Sequence, residues 1–417
     1  MNYTFLQVFP TREDHVLRQI RMQLERTENK VTIVPVTDGV NPLPDESLYR
    51  AIYDSKPDRI LWNQITGMPI YGILCKFNVP KIVLFFDEPR SALGHYDYDL
   101  SDIVRDSATR NDFFYFCWDG FWRKQMMKDY CVKAHPIHLS TDETLYKPNA
   151  ENPFPMNSVF VGMLQSPTEI RRRLSLLTRP MQLIARDIDA ICNDYITGCM
   201  DGNSFPLIPC GERLIKTFDV NNVFDNAAYF ERKHLRWMAW ALAKNAARIP
   251  MLRKTPDLVM FSDMKQLGHA NKAEIQAMLN DTYGAIKIFD TSDFSPADIA
   301  RLTNYGCVQI QATDPQSVLG GIPCRVFECA ASGKTLLADF KPELDECFAP
   351  ETEYIKYNTI CDYPFTLCMS TWNKEGVGHA MRERFLKEHT WQHRIDSIEN
   401  VINSSNSESV NSVRLGI

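Results

Sequence analysis

The chain contains no H-E-x-x-H, no Walker phosphate loop and no G-x-G-x-x-G, so zinc proteolysis, nucleoside triphosphate hydrolysis and ordinary dinucleotide binding have no positive support. A basic excess is missing as well. The 46 Lys and Arg residues face 52 Asp and Glu, a net charge of −6, which disfavours a polyanion as the main partner. No apolar run approaches the about 20 residues of a membrane span, and MNYTFLQVFPTRED passes from one strand-length apolar run straight into charge. Neither a membrane span nor a signal peptide is expected, and a soluble, cytoplasmic protein is. No C-x-x-C pair occurs among the 12 cysteines, which therefore read as reduced thiols, mostly in the core, rather than as a disulfide framework.

What the chain does have is alternation. At 417 residues it exceeds one ordinary core, and two domains of about 150 to 200 residues are the natural expectation. In the first 150 residues the apolar runs TFLQVF, VTIVPV, RILWNQ, KIVLFFD, DFFYFCWD and VKAHPIHL are separated by helical patterns, among them Glu13 to Arg26 and Glu46 to Asp54. Strands spaced by about 10 to 15 helical residues predict a parallel sheet with helices on both faces. A second series, SVFVGM, DLVMFSD, AIKIFD, CVQIQA and TLLAD, begins at Ser158 after the Pro- and Asn-rich joint KPNAENPFPMN. Ser166-Pro167-Thr168-Glu169 reads as a capping box with proline first in the helix. The chain thus divides at about 155 into two α/β domains. Residues 176 to 253 fit neither series, and their clearest element is a helix over Ala227 to Arg248 with Trp237, Trp240 and Leu242 as a core-facing stripe. The tail NSSNSESVNS is polar and expected to fray.

The stretch GGIPCRVFECAASGKTLLADF, residues 320 to 340, carries the strongest site signal. Gly320 and Gly321 permit close backbone approach, Pro323 suits a first helical position, and Gly333 suits a stop. A Gly-rich turn feeding a helix is a ready anion site, because free N–H groups and the helix dipole point at the same place. Arg325 and Glu328, one turn apart, are not needed for packing. On spacing alone they form a surface ion pair worth under ~1 kcal/mol.

The wording of this region resembles the C-terminal domain of the CgeB-like (spore maturation) glycosyltransferases. The resemblance rests on RVFECAASGKTLLADFKPELDECF, on Glu353 to Tyr357 and on FLKEHTWQHRIDSI. Upstream it is supported by VPKIVLFFDEP, Pro57 to Leu61 and Val159-Phe160-Val161-Gly162. It covers about two thirds of the chain and fails over 176 to 253. It implies a GT-B fold: two Rossmann-like domains whose parallel sheets face a central cleft, plus a helical insertion. The N-terminal domain, 1–155, would hold the acceptor. The C-terminal domain, 156–389, would hold a nucleotide diphosphate sugar, and a last helix at about 390–405 would return to the N-terminal domain. The implied donor residues are Gly162, Gly320, Gly321, Arg325 and Glu328, with Glu328 accepting from the ribose and Arg325 beside the diphosphate. The wider family-4 pattern has a second Glu eight positions before Glu328, where this chain has Gly320, so the sugar's grip departs from the pattern. The reaction implied is sugar transfer without a metal or other cofactor, with retention as in family-4 relatives.

The acceptor is a glycan or a protein by the family name. A modified base in DNA is the alternative, with Arg232, Lys233, Arg236, Lys244, Arg248, Arg253 and Lys254 supplying a basic face. A non-catalytic binding protein that kept the fold is the other reading, suggested by Gly320. For the base that takes the acceptor's proton, Asp87 and Glu88 end a strand on the side where open parallel sheets bind ligands, and His95 has a suitable ordinary pKa. Asp97-Tyr98-Asp99 is a D-x-D, but Asp187-Ile188-Asp189 repeats the pattern in the same chain, and no metal is assigned to it. His135 and His138 read as structural, and Arg171 to Arg173 as a solvated helix face.

Overall fold

The computed structural model describes all residues except 9–13, 39–40, 64–69, 87–88, 90–104, 108, 201–228, 281–283, 313, 315–320, 373 and 415–417. At 195–200, 229–230, 232–233, 365, 369–372, 374–375 and 406–414 it describes the backbone only. Two parallel sheets of six strands organise it. The first holds β1 (Asn2–Gln7), β2 (Lys30–Pro35), β3 (Arg59–Asn63), β4 (Lys81–Phe85), β5 (Phe113–Cys117) and β6 (Ala134–Pro136), in the order β2-β1-β3-β4-β5-β6. The second holds β7 (Ser158–Val161), β8 (Leu258–Ser262), β9 (Lys287–Asp290), β10 (Val308–Gln311), β11 (Leu336–Asp339) and β12 (Ile355–Tyr357), in the order β12-β11-β10-β7-β8-β9. Registers such as Tyr3 against Arg59 and Ser158 against Val308 are parallel throughout. β4, β5, β7, β8 and β10 are buried at every position. Continuous apolar or inward-bonded runs of that kind belong to strands covered on both faces.

The chain divides into two compact units, Met1–Ser140 with His389–Ile417, and Thr141–Glu388. The first crossing lies earlier than the expected 155, because the Asn-rich joint is used by the second unit. Asn149 donates its N–H to Asn304 Oδ1 (2.8 Å), Asn152 Oδ1 accepts the Gly306 N–H (2.9 Å), and Asn157 Nδ2 donates to the Asp257 carbonyl (2.7 Å). The closing helix Trp391–Arg414 is part of the first unit. Trp391 is buried, and its Nε1 donates to Gln19 Oε1 at 2.7 Å.

The stretch that fitted neither series contributes helices Arg179–Met200 and Tyr229–Arg253, which pack on one another. The second of these is buried almost all round, through Leu235, Met238, Ala239, Trp240, Ala243 and Ala246. Of the expected aromatic stripe only Trp240 is core. Trp237 instead carries the Arg173 guanidinium 4.0 Å from its ring, and Leu242 is half-buried. Ser166 caps helix Pro167–Leu174 by accepting the Glu169 N–H. The reciprocal bond of a capping box is absent there, because the Ser166 N–H goes to the Gly268 carbonyl and the Glu169 carboxylate to Arg172 and Arg173. Ser295 makes the full box with Asp298. Among the described residues no helix is long and apolar enough to cross a membrane.

Candidate functional site at the carboxyl ends of β7 and β10

In the second sheet the chain runs from β7 outward to β8 and β9, then returns to the other side of β7 as β10. The strand order therefore reverses between β7 and β10, and the crevice beyond their carboxyl ends is where open parallel sheets bind ligands. The connection after β10 leads into helix Cys324–Ser332. Pro323 stands at its N-cap with ψ 152, one position before the expected first turn, and no side chain caps the helix. Gly333 closes it at φ 69, the left-handed conformation a helix stop requires. Gly321 and Ile322, just ahead of the helix, are buried.

Arg325 and Glu328 form an ion pair, Nη1 to Oε2, but not a surface one: the Glu328 side chain is only 4% exposed and that of Arg325 24%. The expectation of an exposed pair fails because the helix is buried along most of its length, from Val326 to Ser332. Although in contact, those two atoms have no hydrogen bond of acceptable geometry among the described residues. Tyr146, from the joint after β6, is buried against them. Burial first, then the charge and hydrogen bonding of Glu328, raise its hydroxyl far above the tyrosine range, so it stays a proton donor to that carboxylate. Burial opposes the charge of Arg325, and the Glu328 carboxylate with Tyr146 outweighs it, so its pKa is raised. Nothing in the sequence around Tyr146 signals this role.

Across the switch, Gly162 directly follows β7. Its N–H is already given to the Phe261 carbonyl (3.0 Å), and a Cβ there would meet the Phe160 ring at 2.6 Å. The glycine is needed for close packing, and its amide is not available to a phosphate. Helix Tyr229–Arg253 holds the turn that follows. Asn245 pairs with both backbone groups of Gln165 (2.8 and 2.9 Å), and Arg248 Nη1 donates to the Met163 carbonyl at 2.6 Å. Lys244 bridges to Asp314, beyond β10, at 2.7 Å. Of the residues named for a basic DNA-facing surface, several are engaged within the protein. Arg248 is buried, Lys244 is paired, and Arg253 donates to the Met278 carbonyl, while the side chains of Arg232 and Lys233 lie outside the described residues.

Asp87, Glu88, His95 and Gly320 also lie outside the described residues, as do Asp97 and Asp99. Among the described residues no group of three His, Cys, Asp or Glu side chains could hold a metal ion.

Residues 268–400 match a family model described as glycosyl transferase-like, a span that includes helix Cys324–Ser332 and the start of the closing helix. The fold decides the architecture. Sucrose-phosphate synthase from Thermosynechococcus elongatus superposes with a TM-score of 0.55 at 12% identity, over 98% of this chain and 99% of that one. A glycosyltransferase from Rickettsia africae gives 0.52 at 12%, over 97% and 98%, and Anabaena HepE in complex with UDP-glucose gives 0.51 at 11%, over 97% and 100%. The fold is that of the GT-B glycosyltransferases. A glycosyl transferase-like match over 268–400 thus sits on a GT-B fold. No curated protein sequence matches it.

Proposed function

We propose that this GT-B protein moves a sugar from a nucleoside diphosphate sugar to an acceptor glycan or protein, without a metal and with retention, as a member of the CgeB-like group. The observation that carries the reading is the buried Arg325–Glu328 pair on a helix at the reversal of strand order. Glu328 suits a ribose hydroxyl. Arg325 and the amides of an uncapped helix start suit a diphosphate. The bond from the sugar's C1 to the diphosphate breaks, a bond from C1 to the acceptor oxygen forms, and the acceptor's proton passes to a base, for which Asp87, Glu88 and His95 are the candidates. Fixed donors facing the departing diphosphate stabilise the charge that builds there. HepE, a protein of the same fold, binds UDP-glucose in its crystal structure, which is consistent with such a donor.

Calorimetric titration with UDP-, GDP- and TDP-sugars tests the reading: one of them should bind, and binding by none would sink it. Gly320 favours a second reading, a nucleotide-sugar-binding protein without turnover. Slow hydrolysis separates the two, since release of free nucleoside diphosphate from the bound donor eliminates the non-catalytic alternative.

A further inference from the structure

Arg248 is the buried charge that the donor site as drawn does not use. It is 8% exposed and sits on helix Tyr229–Arg253, in the part of the chain that fits neither run of strands and helices. Its one hydrogen bond among the described residues is from Nη1 to the Met163 carbonyl, and Nε has no partner there. The guanidinium lies 5.8 Å from the centre of the Phe160 ring, at the carboxyl end of β7. Burial lowers its pKa, and Asp314, Asp339 and Tyr357 oppose that shift only through their charges. Its bond to Met163, just after β7, and the bridge from Lys244, one turn earlier on the helix, to Asp314 just after β10 set Arg248 beside the point where the strand order reverses.

A carbonyl acceptor does not require a cation. Three residues earlier on the same helix, the neutral amide of Asn245 satisfies both backbone groups of Gln165. Asp314 is already engaged by Lys244. A buried guanidinium whose Nε has no partner and which makes no ion pair among the described residues is costly unless an anion completes it, and its planar fork matches phosphate oxygens. Resting on the donor reading above, we propose that Arg248 is a diphosphate-binding residue of the donor site, contributed by the inserted helix. Arg325 then meets the nucleotide from the helix after β10 and Arg248 from the side of β7.

Arg248→Gln keeps a donor for the Met163 carbonyl and removes the charge. The test compares it with wild type by titrating UDP and UMP, or GDP and GMP or TDP and TMP if the base differs, together with melting temperature. The diphosphate should lose about ten- to a hundredfold in affinity, with much less change for the monophosphate, so the ratio between them collapses. A purely structural role predicts a lower melting temperature with that ratio unchanged, which overturns the assignment. If Arg248→Gln does not fold, Arg248→Lys decides: it keeps the charge but loses the fork and Nε, and the ratio should fall by a smaller factor. A wild-type ratio in whichever variant folds overturns the assignment. Failure of wild-type protein to bind any of these nucleotides overturns the donor reading itself, a result distinguishable from the others because it appears before any substitution is made.

Discussion

Burying Glu328 beside Arg325 changes what a substitution there measures. Glu328→Gln removes the counter-charge of a largely buried guanidinium, so it should cost about 1 to 3 kcal/mol of stability as well as donor affinity. The affinity loss should be about ten- to a hundredfold, measured by titration at a temperature where the variant is folded. A lowered melting temperature with wild-type nucleotide affinity would reduce the pair to a packing device. His138 offers a second test, in pH. Burial, reinforced by Arg394, Arg123 and His389, lowers its pKa from the ordinary 6.5 to about 3. Between those values the unfolded chain binds a proton that the native protein refuses, so stability falls as pH falls through this window and is fully present above about 6.5. Urea midpoints of wild type and His138→Gln should diverge in slope between pH 6.5 and 3 and run parallel above it; parallel curves throughout would mean that the imidazole protonates freely in the native state.

At the scale of elements, two glycines in one helix should respond to alanine with opposite signs. Helix Lys374–Glu388 packs on helix Cys324–Ser332, and Arg382 Nη1 from it donates to the Ala331 carbonyl at that helix's end. A Cβ on Gly378 would stand 2.4 Å from the Gly333 carbonyl oxygen and 2.7 Å from the Lys334 carbonyl carbon, backbone atoms that cannot step aside. A Cβ on Gly376 would meet nothing within 4 Å. Gly376→Ala should therefore stabilise by about 0.5 kcal/mol through helix propensity, and Gly378→Ala should destabilise by about 1 to 3 kcal/mol through overpacking. Thermal melts that move both variants the same way would refute the close approach. The helices and strands themselves were largely legible: each apolar run from TFLQVF to TLLAD is a strand, because a buried parallel strand needs a short continuous apolar run and little else. Arg325 and Glu328 were legible as a pair because their spacing fixes them on one turn, but their burial was not, since it depends on what packs over the helix. Tyr146 was not legible as a site residue at all, and Arg248 was legible only as part of a basic face toward DNA. Each reaches its partner from a segment far away in sequence, and neither lies in a local pattern that announces it.

For the molecule as a whole, a segment from the far end of the chain completes the first unit. Tyr3 on β1 donates to Glu399 Oε1 at 2.8 Å, and Arg59 on β3 engages the same carboxylate through Nε (3.2 Å) and Nη2 (2.9 Å). Trp391 is 2% exposed, bonded to Gln19, and set edge-on to Phe86 at 6.5 Å. Ile395, Ile398 and Ile402 are buried along the same helix. Two adjacent interior strands of the first sheet, β1 and β3, thus depend on a helix that the chain makes only after the whole second unit. Trp391→Ala should cost about 3 to 5 kcal/mol, the range for emptying a large buried aromatic site, and the loss should be localised. Hydrogen exchange should accelerate at the amides of β1 and β3 while β7 and β10 keep their protection, because the contacts removed are internal to the first unit. Glu399→Ala, which removes the carboxylate but little apolar surface, should reproduce the pattern at smaller amplitude. Equal acceleration in both sheets would show that the chain opens as one cooperative body, and that its division into two compact units does not describe how it comes apart.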